Sequence, residues 1–255
     1  MIVAGLMLLA VGAADLARTV FTRSASSVRF SALGGVGLAA LVIGVLVGAP
    51  LAGLAAVVVA ALWLWLMPDR GRSPASIWPA AGLGALSALA LVLVPADHGT
   101  GAFGLVEIDS PLGALTLPGV LLMIGALAYL LESANVVVRA TLERENIAPD
   151  PAPGETETVM GPDGLAVMPK LGPGQVMRGG RLIGPLERAI VFGLTLAAAY
   201  PLLAAFIAAK GIVRFPEISR DGDGGDRAEY FLVGSMVSWV QALSAAFLVW
   251  WGLRS

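Results

Sequence analysis

The sequence predicts an all-α fold, a polytopic transmembrane bundle of about eight helices. Three observations predict it: long uncharged runs, clustered positive charge, and a composition that no soluble core of this size could use. Between Arg29 and Asp69 lie 39 residues without a formal charge, which at ~1.5 Å rise per residue is enough helix to cross a ~30 Å hydrocarbon core twice. Ser73 to Ala96, Ser110 to Leu131 and Tyr230 to Leu253 are uncharged as well, and each can cross once. Hydrophobic residues make up 57% of the chain and charged residues 13%, with a mean hydropathy of +0.84, far from soluble-domain averages.

The elements follow in order. Met1 to Ala14 is apolar and ends in small residues, but it lacks the basic start of a signal peptide, and its positive charges come afterwards at Arg18, Arg23 and Arg29. It reads as an uncleaved first helix over residues 2 to 18 with its N-terminus outside. A second helix runs from near Ser31 to the breaker Gly48-Ala49-Pro50, and a third from Leu51 to Met67. Asp69, Arg70 and Arg72 make a polar turn, and Trp63, Trp65 and Trp78 around it suit an interfacial aromatic belt. The fourth helix spans about Ile77 to Val94. The loop after it has no Lys or Arg and faces outward, with a short β-hairpin expected around Asp109-Ser110-Pro111. The fifth helix, about Pro118 to Val138, continues as the charged stretch RATLEREN into the cytoplasm.

Three regions result: membrane helices 1 to 5 in residues 1–146, a flexible cytoplasmic linker rich in Pro, Gly and acid at 147–178, and C-terminal membrane helices at 179–255. A two-stranded turn at GPDG, 161 to 164, fits inside the linker. Residues 183–213 form either one helix kinked at Tyr200-Pro201, giving seven crossings, or a hairpin of two short helices, giving eight. The hairpin is favoured because it leaves 15 of the 16 Lys and Arg residues on one side, Arg254 being the exception. Counted from a turn near Tyr200, it sets Glu187 and Arg214 at similar depth.

The blocks GRLIGPLER at 180 to 188, AAKGIVRF at 208 to 215 and AEYFLVGSMVS at 228 to 238 resemble the C-terminal half of an uncharacterised family of bacterial integral membrane proteins, a domain of unknown function. The resemblance covers about 60 residues and implies a membrane fold without assigning an activity.

Two sets of polar residues are candidates for a site. Glu187, Arg188, Lys210, Arg214 and Glu229 gather near the cytoplasmic ends of the last three helices, where opposite charges gain by pairing beside a low-dielectric boundary. Glu187 pairs with Arg214 or Lys210 in this reading, as a staple for helix register or as a site for an ion, a lipid head group or an anionic substrate. Glu132, Asn135 and Arg139 fall at i, i+3 and i+7, one polar stripe on the fifth helix, with Glu132 and Arg139 able to partner each other. Ser238 and Gln241, one turn apart beside Gly234 and Ala245, read as interhelical hydrogen-bonding groups, and the glycines of GGVG at 34 to 37 and GLGA at 82 to 85 as packing surfaces.

Other chemistry is not indicated. Asp221, Asp223 and Asp226 in DGDGGD lack the spacing and closing glutamate of a calcium loop. His98, the only histidine, has no Cys or His companion, so no metal site is expected. Cysteine is absent, which excludes disulfides, thiolate ligands and thiol nucleophiles. A net charge of −2 offers nothing to a nucleic acid, and no Walker loop, nucleophile elbow or HExxH helix occurs. No cofactor is expected. The leading expectation is a non-enzymatic scaffold or accessory subunit of the cell envelope, in the inner (plasma) membrane. Its partners would be membrane lipids and other membrane proteins or a second copy. A small-solute or ion transporter is the alternative, and an enzyme acting on a lipid-linked substrate the second.

Overall fold

The computed structural model describes residues 1–22, 24–68, 76–94, 107–110, 113–144, 180–219 and 226–254. Eight helices occur among the described residues: α1 (Ile2–Val20), α2 (Ser26–Leu46), α3 (Pro50–Leu66), α4 (Trp78–Leu93), α5 (Leu117–Arg144), α6 (Gly180–Leu196), α7 (Tyr200–Ser219) and α8 (Asp226–Gly252). Two short strands, β1 (Glu107–Ser110) and β2 (Gly113–Thr116), pair antiparallel just before α5, with Glu107 opposite Thr116 and Ser110 opposite Gly113. The helices α1, α2, α5 and the stretch Phe231–Gly252 of α8 are long and apolar enough to span a membrane; α3, α4 and Tyr200–Val213 of α7 are apolar but shorter.

Helix ends follow backbone chemistry more closely than charge. α2 begins at Ser26, ahead of the expected Ser31, and α5 continues through Arg139 to Arg144. A solvated charge ends an apolar run but leaves the i to i−4 ladder intact. Where the chain does turn back, the cause is local. Gly48 takes φ 80° and the Ala49 amide donates to the Gly44 carbonyl at 2.7 Å, closing α2 before Pro50 starts α3. Ala198 takes φ 53° and the Ala199 amide donates to the Leu194 carbonyl at 2.9 Å, which closes α6 in the same way. Pro201 then falls in the first turn of α7, where its missing amide hydrogen costs no hydrogen bond. Residues 183–213 are therefore two antiparallel helices, the hairpin and not the single kinked helix.

Successive helices alternate in direction. One end of the bundle gathers Val20, Ser26, Leu66, Arg144 and Gly180; the other gathers Met1, Pro50, Leu93, Leu117 and Gly252. The first is the polar end. α1 runs through the middle and packs against α2, α3, α4 and α5, while α8 joins α5 to α6. At the α1–α5 crossing the backbones nearly touch: a Cβ on Gly12 would lie 2.6 Å from both the Ala128 carbonyl oxygen and the Tyr129 amide nitrogen. Only glycine fits there. Gly5 and Gly125 line the same crossing.

The surface is apolar, with Leu51, Trp65, Phe30, Ile212 and Val213 all exposed, while charged side chains are buried inside at one end. Hydrocarbon solvent accommodates that inversion and water does not. Of the GGVG and GLGA glycines, Gly37 packs against α3, with Val57 Cγ2 3.9 Å from where a Cβ would stand, and the other four do not pack within this chain. Positions 34, 35, 82 and 84 have no atom within 4 Å of where a Cβ would stand, because α2 and α4 lie on the outside of the bundle. The linker at 147–178, His98, Asp221 and Asp223 lie outside the described residues.

Candidate functional site

The polar end holds three groups of side chains, the first two in contact with each other. The first was not anticipated from sequence. Asp15 and Arg18, one turn apart on α1, form a buried ion pair with side chains almost fully enclosed. The second carboxylate oxygen of Asp15 accepts a hydrogen bond from Trp63 Nε1 at 2.8 Å, and Arg18 Nη1 donates to the Met67 carbonyl at 2.8 Å. Trp63 is 3% exposed, so it is not a belt residue; its neighbour two positions on, Trp65, is 77% exposed and points outward. The difference is geometric. Residues two apart on a helix lie ~200° apart, so one faces Asp15 while the other faces the surroundings. The i, i+3 spacing of an acid and a base inside an apolar helix was the available signal.

The second group surrounds a π turn in α5, Tyr129–Ser133. Within this wide turn the Leu130 carbonyl accepts from Arg188 Nε at 2.7 Å. Arg188 Nη2 donates to Asn135 Oδ1 at 2.6 Å, and Nη1 to Ser238 Oγ at 3.2 Å. Asn135 Nδ2 in turn donates to Glu132 Oε2 at 3.5 Å, and Thr19 Oγ1 to Glu132 Oε1 at 3.4 Å. Tyr129 donates its hydroxyl to Gln241 Oε1 at 2.8 Å and meets Trp63 edge-on at 6.0 Å between ring centroids, so the first and second groups touch. Ser238 and Gln241 thus both join helices, as expected.

The third group is the α6–α7 pair. Lys210 Nζ lies 2.5 Å from Glu187 Oε2, and 5.3 and 5.2 Å from the ring centroids of Phe231 and Trp239. Glu187 lies eleven positions before Ala198, and Lys210 eleven positions after Ala199. The turn lies earlier than Tyr200, which brings Lys210 level with Glu187.

The expected five-residue charge network therefore divides. Glu187 and Lys210 pair; the Arg214 side chain lies outside the described residues; Glu229 is exposed. Arg188 leaves the network, because adjacent residues point ~100° apart on a helix. Glu187 faces α7, and Arg188 faces α5 and α8. Of the α5 stripe, Glu132 and Asn135 are joined, but Arg139 is not part of the group. It lies about 10 Å further along the helix, exposed, with its Nε 3.8 Å from Glu143 Oε1. Three buried polar atoms, Ser87 Oγ, Ser133 Oγ and Trp239 Nε1, have no hydrogen-bond partner among the described residues.

Chemically the arrangement holds cations against carboxylates and carbonyls. Among the described residues no group of three or more His, Cys, Asp or Glu could hold a metal ion. Compared with protein-family models, curated proteins and solved structures, the chain matches none.

Proposed function

We propose that this protein is a non-enzymatic integral membrane scaffold or accessory subunit, held in the inner (plasma) membrane with both termini outside and the 147–178 linker in the cytoplasm. The observation that carries the reading is that the buried acid Asp15 and the partly buried Glu187 at the polar end are each matched by a cation of the same chain. Asp15 is bound by Arg18 and Trp63, and Glu187 by Lys210. Charges so matched fix helix register and leave little for a passing solute. The positive-inside rule supports the orientation, since Arg18, Arg139, Arg144, Arg188 and Lys210 share one end and Arg254 lies at the other. The uncovered glycine faces of α2 and α4 support close approach by helices of partner proteins or of a second copy. Likeness of the last three helices to the uncharacterised bacterial family supports a membrane fold.

The test uses the absence of native cysteine. A cysteine at Gly35 should cross-link to a neighbouring protein in native membranes, whereas one at Leu51, at the far end of α3, should not. If neither cross-links, the scaffold reading fails.

One observation favours a transporter of a small solute or ion as the second reading: the π turn places Glu132 at a break in α5, and π turns recur at functional positions. Ion or solute flux through purified protein in vesicles, abolished by Glu132→Gln, would establish it.

A further inference from the structure

We propose that the groove between α3 and α4 binds an acyl chain of a membrane phospholipid, drawn from the leaflet at the end opposite the polar one. The groove exists because α3 and α4 each pack on α1 more closely than on one another. Leu51, Leu54 and Val58 form one wall and Leu86, Leu89 and Leu93 the other, each set at the i, i+3, i+7 spacing of a single helix face. All six are exposed. Between the walls the floor is small, with half-buried Ala55 and Ala90 above Val3 and buried Met7 of α1. No polar side chain lines the groove among the described residues.

Its dimensions select the occupant. Leu51 begins α3 and Leu93 ends α4, both at the end that gathers Met1 and Pro50, and the lining runs inward to Val59 on α3 and Leu86 on α4. That stretch of helix is ~12 Å long, close to the ~15 Å of hydrocarbon in one leaflet. A volume of about 470 Å³ over that length leaves a cross-section of roughly 40 Å². A transmembrane helix, ~10–12 Å across with its side chains, has about twice that section and would rest on the walls without reaching the floor. A polymethylene chain, its carbons ~4 Å from those of each wall, reaches the floor along the whole length.

Side-chain chemistry points the same way. Helices that pair inside a membrane meet through small residues or polar groups, because hydrocarbon offers no hydrophobic drive for leucine to meet leucine. The walls here are leucine and valine. What the groove adds over bulk lipid is dispersion, since a chain seated in it touches α1, α3 and α4 where a chain on a single helix face touches one. About ten such extra carbon contacts correspond to roughly tenfold preference over lipid elsewhere on the surface. α2 supplies the comparison. It ends at Leu46 at the same end of the bundle, so Val45 and Leu38 match the depths of the two ends of the groove; both are 63% exposed and stand outside it.

The inference rests on the membrane setting of the proposed function and not on its scaffold role, and the experiment separates the two. The full chain is reconstituted in phosphatidylcholine vesicles that carry a trace of phosphatidylcholine with a photoactivatable diazirine midway along one acyl chain. After irradiation, labelled residues are mapped by peptide mass spectrometry. Labelling between Leu51 and Val59 and between Leu86 and Val94 should exceed that of Leu38 and Val45 by about tenfold. Ala55→Phe with Ala90→Phe fills the floor and leaves the walls, so it should bring the groove down to the level of α2 and leave α2 unchanged. If that double variant does not fold, Ala55→Leu alone should lower the excess, and the wild-type ratio decides in either case. Groove labelling equal to or below that of Leu38 and Val45, or an excess that a folded filled variant does not reduce, would overturn the proposal. Absence of labelling at all of these positions, those on α2 included, would overturn the membrane setting with it.

Discussion

Replacing Gly12 by alanine should separate the two central helices. The new Cβ would lie 2.6 Å from the Ala128 oxygen and the Tyr129 nitrogen, where ordinary contact begins at 3.4 Å. Both are backbone atoms at the entry to the π turn, so no side chain can swing aside. α1 and α5 must part by roughly 1 Å, a gap that forfeits a quarter to a half of each dispersion contact across it. Overpacking of this kind costs about 1–3 kcal/mol, and the shift also strains the Asp15–Trp63 bond, which crosses from α1 to α3. Against this stands a gain of ~0.5–1 kcal/mol for replacing a helical glycine. The net expectation is a loss of about 1 kcal/mol, or roughly 2–4 °C in unfolding temperature for a chain of this size. Thermal unfolding in detergent, followed by intrinsic tryptophan fluorescence, reads it directly. Gly34→Ala is the control, because nothing lies within 4 Å of that position; it should be neutral or stabilising. If Gly12→Ala melts at or above the wild-type temperature, the close crossing is wrong.

Trp63→Phe keeps the aromatic body but leaves one oxygen of buried Asp15 without its donor, so it should cost about 1.5–3 kcal/mol in the same assay, whereas Trp65→Phe should change little. Ala198→Gly relieves a left-handed alanine at the end of α6 and should stabilise by about 1 kcal/mol. Cysteines introduced at Ala199 and Gly224 should label from opposite faces of the membrane; labelling of Gly224 from outside would leave seven crossings in place of eight. Protease applied from the cytoplasmic side should cut first between Pro153 and Gly164, and the two fragments should stay together through the Arg188 contacts to α5. Fragments that separate on extraction would show those contacts to be too weak to join the halves.

Much of the architecture was legible because charge spacing and Gly/Pro breakers act locally. The turn at Gly48-Ala49-Pro50 and the bonding roles of Ser238 and Gln241 needed no knowledge of the neighbours. The pairing of Glu187 with Lys210 was legible as one of two choices, and which one depended on a turn set by Ala198, a residue without turn propensity. Contacts across long stretches of chain were hidden. Asp15 finds Trp63 48 residues away, and nothing in either segment alone tells Trp63 from Trp65. Arg188 read as one more charge in a basic cluster, because its direction depends on which helices flank α6. The GGVG and GLGA glycines read as packing surfaces, and four of the five meet nothing within this chain, since the sequence does not reveal which helices lie outside.

The central claim is that the charged pairs of the polar end hold the helices in register, and a double-mutant cycle on Glu187 and Lys210 tests it most directly. Both side chains are mostly buried, at 18% and 14% exposure, and they bridge α6 and α7 at 2.5 Å. Unfolding temperatures of wild type, Glu187→Gln, Lys210→Gln and the double variant give the coupling between them. The account predicts that each single change destabilises by stranding its partner, and that the double recovers part of the loss, with a coupling of about 1–3 kcal/mol. Single variants that unfold at the wild-type temperature, or losses that simply add in the double, would contradict it.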